Sequence, residues 1–140
     1  MTERTDKQTY IGKQQIFYSD FLTDLDKHPS TGALGVVTNT NAIKQALKNI
    51  VLTNYGERLY QPNVGGNVSQ VLFEPIDGFS TSYLEDSIKT TIFNNENRVA
   101  SLSVSAVPDQ LNNSYNVTLS FTERNSNVIQ SVSLVLIRNR

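Results

Sequence analysis

NYGERLYQPNVGGNVSQVLFE, residues 54–74, holds four residues that set backbone geometry: Gly56, Pro62, Gly65 and Gly66. Glycine permits left-handed turns and close backbone approach, while Pro62 fixes its own φ and holds Gln61 extended. Two adjacent charges, Glu57 and Arg58, stand beside the first turn, and an apolar cluster of Val68, Val71 and Leu72 follows the second. A helical pattern precedes the stretch, and a second helix and a run of strands come after it. The stretch therefore reads as a rigid joint, with Gly56, Glu57, Arg58, Pro62 and Gly65 as its turn residues. The side chains around it supply little that catalysis needs, which points to a building piece rather than an enzyme.

On the N-terminal side, Asn39-Thr40-Asn41 offers a helix cap, and Ile43, Leu47, Ile50 and Val51 recur at helical spacing opposite Lys44 and Lys48. A helix is expected over about 41–54, with Gly56 as its left-handed C-terminal cap. Residues 1–15 have too few apolar side chains to offset ordering entropy and are expected to be a flexible arm, leaving 16–140 as a single domain. Ile16-Phe17-Tyr18 is a β-prone run. Phe21, Leu22 and Leu25 are expected to pin this first segment to the core, and Lys27–Gly35 reads as a loop.

On the C-terminal side, a short helix is expected over 67–73, stopped by Pro75, with Asp77-Gly78 as a turn. A longer helix follows over about 81–94, with Leu84, Ile88 and Ile92 as its apolar line and Ser82-x-x-Glu85 as a capping box. After Arg98 the period drops to two. Ala100, Leu102, Val104 and Ala106 share a face, ended by Pro108-Asp109. Tyr115, Val117, Leu119 and Phe121 alternate with Asn116, Thr118, Ser120 and Thr122, and Val128–Ile137 forms a third strand. The fold class is α+β: a small three-stranded antiparallel β-meander with two main helices packed on one face, plus the N-terminal arm. Leu134-Val135-Leu136-Ile137 departs from alternation. This end is either an inner strand covered on both sides or a strand that meets another chain.

Composition narrows function. The chain has 140 residues, no cysteine, and 12 basic against 13 acidic residues for a formal charge of −1. This excludes thiol chemistry and gives no reason to expect nucleic acid or an anionic membrane as partner. No apolar run nears the roughly 18 residues that a membrane span needs, and the opening MTERTDKQTY lacks a secretory core. His28 is the sole histidine, too few for a multi-histidine metal site. Gly65-Gly66 has no lysine at phosphate-loop spacing, and no G-x-S-x-G elbow occurs. Glycoside hydrolysis needs only two carboxyl groups across a cleft, and Glu57, Glu74, Asp77, Glu85 and Asp86 are available in number. Glu74 precedes Pro75 at a helix end and Glu85 reads as a cap, which favours structural roles. Adjacent Glu57 and Arg58 should reach different partners. Arg58 is either solvated or fixes a carboxylate or carbonyl, for which its planar fork is suited. Glu96-Asn97-Arg98, between the long helix and the sheet, places two charges at a junction fit for a recognition tip.

Ala42–Thr53, Gly56-Glu57-Arg58, Pro62–Gly65, Leu72-Phe73-Glu74 and Tyr18-Ser19-Asp20 together resemble the baseplate wedge and tail-sheath initiator family of contractile-tailed phages. A component of the type VI secretion baseplate is related. The similarity runs from about Phe17 to the end of the third strand and rests on the order and spacing of the motifs. The family carries a Glu-Pro-Arg signature before its sheet, aligned here with Glu96-Asn97-Arg98, so both charges stay and the proline is lost. The resemblance implies contact of these three residues with the core helical bundle of the wedge. It also implies a domain like part of the sheath protein, with Leu134, Val135, Leu136 and Ile137 in a strand that templates the first sheath ring. It implies wedge and sheath proteins as partners, six copies in a six-fold baseplate, and a place in the virion tail assembled in the host cytoplasm. No enzyme activity, cofactor, metal, nucleic acid or membrane is expected. The alternative that the family carries is a lysozyme-like glycosidase of the baseplate.

Overall fold

The computed structural model describes residues 15–138. The elements run β1 (Ser19–Phe21), β2 (Val36–Thr38), α1 (Asn39–Leu52), α2 (Val68–Val71), α3 (Gly78–Asn95), β3 (Val99–Asp109), β4 (Ser114–Glu123) and β5 (Ile129–Ile137). β3, β4 and β5 form the expected antiparallel meander, with β4 in the middle and β3 and β5 at the edges. β1 and β2 form a separate two-stranded ribbon. The helices cover one face of the meander. Ile43, Leu47 and Val51 of α1 and Leu84, Ile88 and Ile92 of α3 close over Tyr115, Val117, Leu119 and Phe121 of β4, all at most 2% exposed. Each of these aliphatic side chains, and Phe121, contributes about 1.5–3 kcal/mol by leaving water. On the other face β4 presents Asn116, Thr118, Ser120 and Thr122, as its alternation requires, while Val107, Ile129, Val135 and Ile137 of the edge strands stand exposed there.

The ribbon was legible only in part. β1 lies at Ser19–Phe21, just past the β-prone run at 16–18, and pairs with a strand at 36–38 that had no predicted counterpart. Phe21 and Leu25 do not pin this segment to the core, since they are 56% and 61% exposed. The fastening falls instead to Tyr18, packed on the core, and to Asn39. The Asn39 side chain accepts from Phe17 N–H at 2.8 Å and donates to the Gln15 carbonyl at 3.0 Å. Asn39 thus ties the ribbon down rather than capping α1, and it takes φ 49, a left-handed value that asparagine tolerates. Apart from Gln15, the expected arm lies outside the described residues.

Helix boundaries moved for local reasons. α3 begins at Gly78 because Asp77 is its N-cap, its Oδ1 accepting from Ser80 N–H at 2.7 Å. The predicted Ser82–Glu85 capping box does not form. Ser82 donates back to the Gly78 carbonyl, and Glu85 Oε1 accepts from Ala106 N–H on β3 at 2.7 Å. That bond occupies the open edge of β3. The strand runs through Pro108 and ends at Asp109, as expected. In a strand, residues two apart point their N–H groups the same way, so position 108, like Ala106, faces away from β4 and its missing N–H breaks no ladder bond. The register slips between Val99 and Ser101, which buries Val99 and leaves Ala100 exposed, against the predicted face.

The joint at 54–66 is closed at its base. α1 ends at Leu52, and Thr53 follows with extended geometry, so Gly56 does not cap the helix. Gly56 takes φ +80 inside the loop and donates its N–H to the Pro62 carbonyl at 2.9 Å. Gly66 N–H reaches the Thr53 carbonyl at 3.0 Å. A Cβ on Gly65, at φ +118, would lie 2.5 Å from the Thr53 oxygen, and one on Gly66 would lie 2.1 Å from Thr91 Oγ1 of α3. Gly56 has open space at the same position. Gly65→Ala is therefore expected to lower unfolding free energy by about 2 kcal/mol or more. Gly56→Ala, strained in φ alone, is expected to cost about 1 kcal/mol. Denaturant titration of the two variants checks this ordering.

Candidate partner-binding surfaces

The α3–β3 junction does not offer both its charges to the outside. Glu96 follows the last turn of α3, donating its N–H to the Ile92 carbonyl at 2.8 Å, and its side chain turns inward to 7% exposure. Arg98 closes on it with two parallel bonds, Nε to Oε1 at 2.7 Å and Nη2 to Oε2 at 2.6 Å, and its own N–H donates to Oε1 at 3.1 Å. The guanidinium also lies 5.5 Å from the centre of the Tyr18 ring, a cation–π distance. Burial pushes the Glu96 carboxyl up, but the hydrogen bonds and charge of Arg98 outweigh it and leave the group below its ordinary value of 4.5. The Glu96 hydrogen bond raises Arg98 in turn, against burial. The expectation of two outward charges is corrected: the pair is a clamp joining the end of α3, the start of β3 and, through Tyr18, the chain before β1. A partner here meets Asn97, which is exposed and whose Oδ1 accepts from Arg124 Nη2 at 3.4 Å, and the open side of Arg98.

In the joint, Glu57 and Arg58 do reach different surroundings. Glu57 Oε2 accepts from Asn54 N–H at 2.9 Å and so braces the loop. The Arg58 side chain makes no hydrogen bond or ion pair among the described residues. It lines a hollow of about 350 Å³ together with Asp20 of β1, Asn49 of α1, Gln61 and Asn95 of α3. The Asn95 side chain also donates to the Thr91 carbonyl at 2.8 Å and the Gly65 carbonyl at 3.4 Å, so the joint and the junction share a wall. Of the predicted turn residues, Gly56, Glu57, Pro62 and Gly65 hold the loop and Arg58 is left free on it.

The four residues assigned to a sheath strand divide by side. Leu136 is 3% exposed and Leu134 packs against the core, while Val135 and Ile137 are 58% and 64% exposed on the other face. β5 is an edge strand, so the alternative of an inner strand covered on both sides does not hold. No hydrogen bond from the described residues reaches its outer edge.

The carboxylates have structural partners. Glu57, Asp77, Glu85, Glu96 and Asp109 each accept from a backbone N–H. The shifted carboxyls, Asp77, Glu96 and Asp109, all lie below their ordinary values, whereas a general acid needs a raised one. Glu74 and Asp86 border two hollows that share Asn67 and Tyr83 in their walls. Among the described residues no group of three or more His, Asp or Glu is placed to hold a metal ion, and no helix is long and apolar enough to cross a membrane. Sequence reasoning missed Tyr18 and Asn39 as fasteners. Nothing in their spacing marks them, since both act across more than twenty residues of chain. Asp77 was detectable, because a carboxylate three residues before Ser80 and next to Gly78 is a cap pattern.

The clamp has a pH signature. Because Glu96 lies below its ordinary value in the folded state, its contribution is present above about pH 4.5 and is lost as pH falls through the folded value. Arg98→Ala is expected to cost about 2 kcal/mol near neutrality, since it leaves a buried carboxylate unpaired. The gap between wild type and variant should close in acid. Unfolding free energies measured across pH 3 to 7 (approximate limits that bracket carboxyl titration) check both statements.

Known proteins match this architecture. The family model described as baseplate wedge protein gp25 matches residues 37–128. The baseplate wedge protein gp25 of Enterobacteria phage T4 is 31% identical over 67 residues, spanning 48% of this chain and 51% of that protein, so the match covers about half of that relative's length. A crystal structure of a putative tail lysozyme from Geobacter sulfurreducens superposes with TM-score 0.66 at 21% identity, over 71% of this chain and 91% of that one. A chain of the anti-feeding prophage baseplate gives TM-score 0.60 at 20% identity, over 88% and 87% of the two chains. One from the type VI secretion baseplate complex gives 0.57 at 11%, over 71% and 93%. At these identities the superpositions show a shared fold. The family match covers more than half of the chain, from β2 through the β4–β5 turn, and with it the protein belongs to the baseplate wedge protein gp25 family.

Proposed function

We propose that this chain is a structural component of a contractile tail baseplate in the virion, where it links the wedge to the sheath and sets the position of the first sheath ring. Six copies, one for each sector of a six-fold baseplate, follow from that reading. The observation that carries it is β5. This strand lies at the sheet edge, its outer backbone is unpaired among the described residues, and Val135 and Ile137 stand exposed beside that edge. Strands left open in this way accept another strand. Main-chain hydrogen bonds would give affinity there, and the exposed alternate side chains would fix register. Asn97 and the open side of Arg98 offer the wedge contact at the other end of the sheet. Work of this kind makes and breaks no covalent bond. The glycosidase alternative has support from one structural neighbour, but the geometry supports it less well, because most of the candidate carboxylates brace backbone and the shifted ones are lowered.

Truncating β5 is a poor test, since it would also remove Leu136 from the core. Val135→Lys with Ile137→Lys keeps the buried side and blunts the edge. Wedges carrying this variant are expected to assemble normally but to nucleate sheath at least about tenfold more slowly, which corresponds to losing about 1.4 kcal/mol of contact. Electron microscopy of baseplates supplied with sheath protein reads the rate. Sheath growth at the wild-type rate would count against the templating role.

A further inference from the structure

We infer that the loop Glu57–Gln61 is a preformed docking hook for a protein segment that carries an apolar side chain next to a carboxylate. The inference rests on the wedge reading above and adds a second contact to it, separate from the Glu96–Arg98 junction. Three observations carry it. Leu59 and Tyr60 are 91% and 97% exposed at the tip of the loop. Single exposed apolar residues are ordinary, but two adjacent large ones held almost wholly in water are a cost unless something covers them. The loop is also braced rather than slack. Gly56 N–H bonds the Pro62 carbonyl, Glu57 N–H the Asn54 carbonyl, Gln61 N–H the Arg58 carbonyl, and Glu57 Oε2 the Asn54 N–H, at 2.9 to 3.2 Å. A braced tip loses little freedom on binding, which is how exposed aromatic anchors become strong contacts.

The third observation is the division of charge. Glu57 is spent on the loop itself, so the hook carries one uncommitted charge, that of Arg58. Residues Glu57–Gln61 border an open hollow of about 550 Å³, and Arg58 also lines the polar hollow with Asp20, Asn49, Gln61 and Asn95. Arg58, with Gln61, forms the shared wall of an apolar hollow and a polar one. A segment laid across both would set its apolar side chain against Leu59 and Tyr60 and its carboxylate on the Arg58 fork, with amide groups beyond to meet main-chain polar atoms. A purely apolar partner would leave Arg58 covered and unpaired, and a purely acidic one would leave Leu59 and Tyr60 wet. The chemistry fits a mixed segment of a neighbouring wedge protein.

The test uses wedges assembled from the other wedge proteins of the same particle, without this chain, titrated with purified full-length protein. Wild type, Leu59→Ser with Tyr60→Ser, Arg58→Glu and Arg58→Lys are compared. The double serine variant is expected to bind at least about thirtyfold more weakly and Arg58→Glu at least about tenfold more weakly. Arg58→Lys should retain part of the affinity, because it keeps the charge and loses the fork. Thermal midpoints should stay at the wild-type value, since these side chains are exposed. A photo-crosslinking residue placed at position 60 gives a readout independent of folding energy, and it should join to a wedge protein in the assembled state. Wild-type affinity in the double serine variant and in Arg58→Glu, or a crosslink confined to this chain, overturns the hook and leaves the wedge reading standing. Failure of the wild-type protein to enter wedges overturns both.

Discussion

The close approach of Gly65 and Gly66 to two helices is the constraint on which the rest of the structure depends. Gly66 N–H completes the Thr53 carbonyl that α1 leaves behind, and the same residue sits against Thr91 of α3 with no room for a side chain. Asn95, one turn further along α3, donates to the Gly65 carbonyl. The glycine step thus fixes the end of α1 to the second half of α3. That in turn fixes where α3 delivers Glu96 to the sheet and where the 57–61 loop projects. Only glycine fits these two positions, because a Cβ would meet Thr53 of the α1 end or Thr91 of α3.

The sheet converts that local rigidity into distance. The junction enters at the Val99 end of β3, level with Ile129 of β5 through Thr122 and Glu123. Val135 and Ile137 lie at the opposite end of β5, level with Val107 and Asp109. The proposed wedge and sheath contacts are therefore diagonal corners of one hydrogen-bonded sheet, roughly 30 Å apart by strand rise and spacing. A backbone-bonded plate covered on one face by helices bends little, so fixing one corner fixes the other. In the proposed role, position at one interface would become position at the next without any conformational switch.

Much of this was legible in the sequence because it follows from period. Ile43, Leu47 and Val51 marked α1, Leu84, Ile88 and Ile92 marked α3, and the strict alternation of Tyr115 to Phe121 marked β4, all borne out by burial. What escaped was set by partners distant in sequence. Glu85 looked like a cap because Ser82 stood three residues before it, yet it bonds Ala106, twenty-one residues on. Val99 was buried by a bulge that no local pattern announced. Glu96 and Arg98 were recognisable as a charged pair, but the Tyr18 ring that Arg98 lies against is eighty residues away, in the chain before β1. Gly56 was assigned to the helix and belongs to the loop, because Gly66 had already taken the carbonyl of Thr53.

In the proposed role this chain is a fixed spacer between wedge and sheath. Cryo-electron microscopy of a baseplate with its first sheath ring tests it most directly, at a resolution that traces the backbone. The account predicts a foreign strand hydrogen-bonded along the outer edge of β5, wedge density against the α3–β3 junction, and a domain superposable on the free one throughout. A β5 edge open to solvent in the sheathed particle, or a saccharide held between carboxylates beside Tyr83, would contradict it.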